Sequence, residues 1–78
     1  MRLTFFGRLR DAVGAGEIHC SPPTNIVDSE SLRAWISIDH PALADETVRI
    51  ALDDVLITGA TSIAGVSEVA FLPPVSGG

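Results

Sequence analysis

The chain has 78 residues, 46% of them hydrophobic and 19% charged, with ten acids against five basic residues and a net charge of −5. That length holds one small core and no deep, walled active site, while the hydrophobic share is too high for a disordered chain. The acidic balance argues against nucleic acid and anionic membrane as partners, and the complete absence of lysine removes Schiff-base and phosphate-loop lysine chemistry.

Residues Met1 to Phe6 alternate as a strand, with Met1, Leu3 and Phe5 on one side and Arg2 and Thr4 on the other. Phe6 breaks the pattern and falls on the polar side. The stretch "GRLRDAVGAGE" reads as a connection with a short helical turn from Leu9 to Val13, and Gly14 and Gly16 supply turn geometry. Glu17 to Cys20 forms a short second strand, with Ile18 and Cys20 inward, that Pro22 and Pro23 end. The period then changes. Leu32, Trp35 and Ile36 share one helix face. Asp28 or Ser29 caps the start, and Glu30 sits where the helix dipole favours an acid. Pro41 places the helix end near Ile38 or Asp39, and Trp35, the largest apolar group, is expected to anchor the helix on the sheet.

Thr47 to Ala51 alternates again, with Val48 and Ile50 on one face, and Asp53-Asp54 makes a turn into the short strand Val55 to Ile57. A small-residue connection follows, with room for an extended piece around Ile63. The last strand is Glu68 to Leu72: Val69 and Phe71 share one face, Glu68, Ala70 and Leu72 the other. Placing this strand beside the first, in the middle of the sheet, satisfies both of its apolar faces. The order predicts an α+β fold of the β-grasp type, a mixed sheet of about four to five strands with one main helix on one face. It occupies residues 1–72, and residues 73–78 form an extended tail.

Chemistry inside the domain is sparse. No glycine-rich loop runs into Lys and Ser/Thr, and no GxGxxG is present. His19 and His40 lie far apart and neither has metal-ligand spacing; they read as an outward strand residue and a helix-end residue. Cys20, the single cysteine, excludes an internal disulfide and reads as a small hydrophobe rather than a reactive thiol. The opening "MRLTFF" does not read as a secretory signal, and no apolar run approaches the ~20 residues of a membrane span. A cytoplasmic location is expected.

The end of the chain, "EVAFLPPVSGG", is different. Pro73 and Pro74 cannot donate ladder hydrogen bonds, so they end the strand and keep the chain extended. Six extended residues, Pro73, Pro74, Val75, Ser76, Gly77 and Gly78, reach roughly 20 Å. Gly77 and Gly78 carry no side chain, so they fit a channel too narrow for other residues and leave a terminal carboxylate open. A carboxylate resists nucleophiles and needs activation, for example as an acyl-adenylate that a sulfur donor then converts to a thiocarboxylate.

This ending closely resembles the C-terminal signature of the small subunits of molybdopterin synthase, a family of ubiquitin-like sulfur carriers. The opening "LTFFGRLRDAVG", the "HPAL" region and "IALDDVLI" are similar to its first strand, helix region and middle strands. The chain departs from the family pattern at Ala64-Gly65-Val66-Ser67, where an Asp-Gly-Asp-like turn is usual, and at Ala51-Leu52, where valine-asparagine is common. The resemblance implies that Gly78 is adenylated and then thiocarboxylated. It also implies that Pro73 to Gly77 thread into the large subunit of the synthase. There the sulfur passes to a cyclic pyranopterin precursor in molybdenum cofactor biosynthesis. The implied partners are that large subunit, in a heterotetramer, an ATP-dependent E1-like adenylating enzyme and a sulfur donor. ATP is used by the activating enzyme, and this chain, as a non-catalytic small subunit, binds no cofactor or metal directly.

A docking surface follows from the alternation itself. Phe6 and Leu72 are large apolar residues on outward positions near the tail root, a pattern of protein interfaces. By the resemblance, Val55 joins them. Three readings share these residues: a carrier for another pathway, such as thiamine or cysteine synthesis; a ubiquitin-like protein modifier; and a plain interaction domain with no C-terminal chemistry.

Overall fold

The computed structural model describes residues 1–74. In chain order it contains β1 (Arg2–Phe5), α1 (Arg8–Val13), β2 (Glu17–His19), α2 (Ser29–Ile36), a 3-10 helix (Pro41–Ala44), β3 (Arg49–Leu52), β4 (Val55–Leu56) and β5 (Glu68–Leu72). The strands form one five-stranded sheet in the order β2-β1-β5-β3-β4. β1 and β5 pair in parallel, with Leu3 beside Val69 and Phe5 beside Phe71, and the other three pairings are antiparallel. The expected mixed β-grasp sheet, with the last strand beside the first, is the fold of this chain.

The alternation read from the sequence sets the layers. Leu3, Phe5, Ile50, Leu52, Val69 and Phe71 point to one face and meet Leu9, Leu32, Ile36 and Leu43 from the helical segments in a single core. The Phe5 and Phe71 rings stack with centroids 5.6 Å apart, which welds the first strand to the last. β5 is buried along Val69, Ala70 and Phe71, as a central strand must be. Ile18 and Cys20 are half-buried against the core, and burial raises the Cys20 thiol above its ordinary value.

Several details differ from the sequence reading. α2 stops at Ile36, two to three residues before the expected end. The ladder changes just after Ser37: Ser37 N–H still makes the helical bond to the Arg33 carbonyl, which its hydroxyl also reaches, but Ile38 N–H turns back to the nearer Trp35 carbonyl, a tightening usual at helix ends. Pro41 does not end α2. It opens the 3-10 helix at the position where its missing N–H costs nothing, and it brings Leu43 fully into the core. Trp35 is only half-buried; Leu32, with no exposed surface, anchors α2. The connection around Ile63 is more ordered than expected, with Ile63 buried and its N–H donating to the Val27 carbonyl. Gly65 takes φ 76 in the turn that Val66 N–H closes on the Ile63 carbonyl, so one glycine supplies this turn without the family's flanking acids.

Asp53 and Asp54 form the two-residue turn between β3 and β4, at φ 45 and 71, a geometry that Asp tolerates better than most side chains. Asp53 is more than a solvated turn former. Its carboxylate accepts from Ser67 N–H and Glu68 N–H at 3.1 and 2.9 Å, tying the hairpin to the start of β5. Asp28 is the helix cap: its carboxylate accepts from Ser31 N–H at 2.7 Å, and the Ser31 hydroxyl accepts in return from Asp28 N–H. Among the described residues no helix is long and apolar enough to cross a membrane.

Two outcomes follow for stability. Asp53→Gly keeps a residue suited to positive φ and removes the carboxylate, so urea unfolding should show a loss of about 1 kcal/mol. Hydrogen bonds from Ser31, first its N–H and then its hydroxyl, hold the Asp28 carboxyl below its ordinary value of 3.8. A lowered folded-state value means the contribution is complete above pH 3.8 and fades as pH falls through the lowered value. Asp28→Ala should therefore lower the unfolding midpoint at neutral pH, with the gap to the parent chain closing in acid below that point.

Candidate functional site

The second face of the sheet carries no helix. By register it is built from Arg2, Thr4 and Phe6 of β1 and its extension, Glu68, Ala70 and Leu72 of β5, Arg49 and Ala51 of β3, Leu56 of β4, and Glu17 and His19 of β2. Its middle is floored by the small pair Ala51 and Ala70, which face each other across β3 and β5. Toward the start of β5, Arg2 and Glu68 form an ion pair at 2.6 Å. Toward the end of β5 lie Leu72 and, directly beside it, Arg49.

The tail root stands at that second end. Phe6 extends the parallel pairing by one residue, its N–H donating to the Phe71 carbonyl at 3.1 Å, and this sets Phe6 next to Leu72. Phe6 is 48% exposed and Leu72 is half-buried. The structure thus brings together two of the sequence-predicted docking residues at the base of the tail. Val55 is 64% exposed on the edge strand but pairs with Leu52, so by register it points toward the helical side. Its neighbour Leu56, 52% exposed and paired with Ala51, is the β4 residue that shares the open face with Leu72. Sequence reading passed over Leu56. The two-residue turn that fixes the β4 register was the signal that locates it.

Pro73 and Pro74 are half-buried where they leave the strand, and Pro73 packs on Gly7. The expectations for Val75, Ser76, Gly77 and Gly78 lie outside the described residues. His19 is exposed and bonds to Glu17 at 2.7 Å. His40 caps the 3-10 helix, its carbonyl accepting from Leu43 N–H. Among the described residues no group of His, Cys, Asp or Glu is placed to hold a metal ion. What the site offers is a shallow apolar strip, bordered by a cation at Arg49, at the foot of a chain segment emerging from the central strand.

Comparison with known proteins agrees with this geometry. The ThiS family pattern matches residues 3–78. No curated protein matches the sequence. Solved structures share the fold at low identity. SAMP1 from Haloferax volcanii superposes with a TM-score of 0.76 at 18% identity, over 99% of this chain and 97% of that one. A Pyrococcus furiosus protein described as a candidate molybdopterin converting factor, subunit 1, gives 0.71 at 20% identity over 95% of both chains. The solution structure of SAMP1 (small archaeal modifier protein 1) from Methanosarcina acetivorans gives 0.71 at 22% identity, over 99% and 94%. The chain belongs to the ThiS family and carries the β-grasp frame of the ubiquitin-like sulfur carriers and modifiers.

Proposed function

We propose that this chain is the sulfur-carrier subunit of a molybdopterin synthase, working through the carboxylate of Gly78. The observation that carries the reading is the tail root. The last strand is the centre of the sheet, an exposed aromatic and an aliphatic residue flank its end, and the sequence continues from there as Pro-Pro-Val-Ser-Gly-Gly. An E1-like enzyme supplies the activation: the Gly78 carboxylate attacks the α-phosphorus of ATP and pyrophosphate leaves. Hydrosulfide then adds to the acyl carbon and AMP departs, leaving a thiocarboxylate. ATP belongs to that enzyme, and this chain holds no cofactor. The large synthase subunit receives the charged tail and directs the sulfur to the pyranopterin precursor. The likeness to the Pyrococcus furiosus protein supports this recipient.

The likeness to the SAMP1 structures favours a second reading, in which the activated glycine is transferred to lysines of other proteins. Both readings use the same activated end and differ in the nucleophile. A conjugate would be recognised after trypsin by residues 50–78 attached to the target, because Arg49 is the last tryptic site in the chain.

The chain incubated with ATP, hydrosulfide and a cognate E1-like enzyme should gain mass equal to the replacement of one oxygen by sulfur. Deletion of Gly78 should abolish that gain while leaving the fold intact. A truncated chain that is still charged overturns the reading. The charged chain, mixed with the large subunit and precursor, should then yield the dithiolene product. Leu72→Asp buries no new charge in the core, so the thermal midpoint should hold. Affinity for the large subunit, read by titration calorimetry, should fall on the order of tenfold or more, as for a central interface residue.

A further inference from the structure

Gly7 stands between the docking face and the tail, and two independent features require glycine there. Its backbone takes φ 54 and ψ −135, a region that residues with a Cβ rarely enter. A Cβ built on Gly7 would also lie 3.0 Å from Cγ and 3.7 Å from Cδ of Pro73. Those atoms belong to a closed ring, which cannot swing away as the end of a long side chain could. Gly7 is therefore a bare patch of backbone with the Pro73 ring seated on it.

The patch is itself held from both sides. Before it, Phe6 N–H is bonded to the Phe71 carbonyl. After it, the Gly7 carbonyl accepts from Arg10 N–H at 3.2 Å, which places Gly7 at the start of α1. Leu9 in α1 is buried in the core. A rigid path thus runs from the core through α1 to Gly7 and on to the first residue beyond β5. The double proline fixes the local shape of the root but not its heading relative to the sheet; the seat on Gly7 fixes the heading.

We infer that Gly7 is a positioning residue for the tail: its missing side chain sets the direction in which the chain leaves the sheet, and so the aim of the reactive end relative to the docking face. The inference rests on the carrier reading and adds to it a residue that acts through the Pro73 ring rather than on the reacting atoms. In a reaction where two surfaces dock and a separate end must reach an active centre, misdirection spares binding and harms turnover.

The test uses the full chain with its E1-like enzyme and pyrophosphate exchange as the readout of adenylation. Gly7→Ala should leave KM within about twofold, because the open face is untouched, and should lower kcat on the order of tenfold to a hundredfold. Pro73→Ala takes the ring off its seat, so alone it should lower kcat to a similar extent at unchanged KM, and the double variant should lose little more than either single one, because both remove the same contact. Losses that simply add report backbone strain at Gly7 apart from Pro73 and overturn the inference, as does an unchanged kcat in folded Gly7→Ala. Should Gly7→Ala not fold, the parent chain decides: nuclear Overhauser contacts between Gly7 Hα and the Pro73 ring protons are expected in solution, and their absence overturns the seat. A parent chain that supports no exchange at all overturns the carrier reading and this inference with it, whereas exchange that is indifferent to Gly7→Ala overturns this inference alone.

Discussion

The parallel pairing of β1 with β5 is the constraint on which the rest of the molecule depends. It joins residues at opposite ends of the sequence, Arg2 with Glu68 through Phe5 with Phe71, and the stacked phenylalanines lie on its buried side. Such a contact closes nearly the whole chain into one loop, whose entropic cost must be met before the contact repays it. Once formed, it puts the final strand where both neighbours hold it, β1 on one side and β3 on the other. A segment that must bear load or be pulled into a partner is best rooted in the middle of a sheet, because leaving would break two ladders rather than one. The tail root is thus held from both sides by the sheet.

The division between the two sheet faces follows from the same pairing. One face carries two helices and the 3-10 segment and is closed by Leu9, Leu32, Ile36 and Leu43. The other is left open, and its composition is suited to that state. Small alanines floor the middle, an ion pair between Arg2 and Glu68 crosses β1 and β5, and large apolar groups are confined to the rim near Phe6, Leu72 and Leu56. The sheet edges are short: β2 has three residues with exposed Glu17 and His19, and β4 has two. A strand of two or three residues offers little template for strand-to-strand association, and at β2 the acid Glu17 adds to that.

Much of this frame was legible in the residues. Alternation located β1 and β5 and placed Leu3, Phe5, Val69 and Phe71 inward, because a strand's period of two leaves little freedom once one face is apolar. The spacing of Leu32 and Ile36 gave α2, and the break in alternation at Phe6 gave an exposed aromatic. What escaped notice depended on contacts distant in sequence. Nothing local marks Asp53 as the group that holds Ser67 and Glu68, since its partners lie on another strand. Leu43 sits in a stretch too short for a periodic signal and is drawn inward by packing. Pro41 carried a true signal for a boundary but of the wrong sense, a start rather than a stop. Gly7 carries no local signal in the connection it opens, because the Pro73 ring that packs on it comes from the far end of the chain. The face on which Phe6 and Leu72 lie was readable from parity, whereas the sides of Val55 and Leu56 required the register of a two-residue turn.

The side-chain inventory bears on the chemistry as much as the fold does. An activated glycine carbonyl is open to any neighbouring amine or thiolate. These 78 residues contain no lysine, so on the carrier reading a charged copy would meet no side-chain amine on another copy of the same domain. The one thiol, Cys20, is half-buried, and burial disfavours its nucleophilic thiolate. Apart from the two histidines, arginine supplies every basic side chain, and its guanidinium stays protonated and unreactive toward acyl groups at neutral pH. Replacing lysine by arginine on an otherwise ordinary surface has small effects on stability and charge. On the carrier reading its effect is larger, because it removes competing acceptors for the activated end while keeping the positive charges. On that reading, a scaffold with no lysine and a half-buried thiol suits a tail whose reaction waits for a partner.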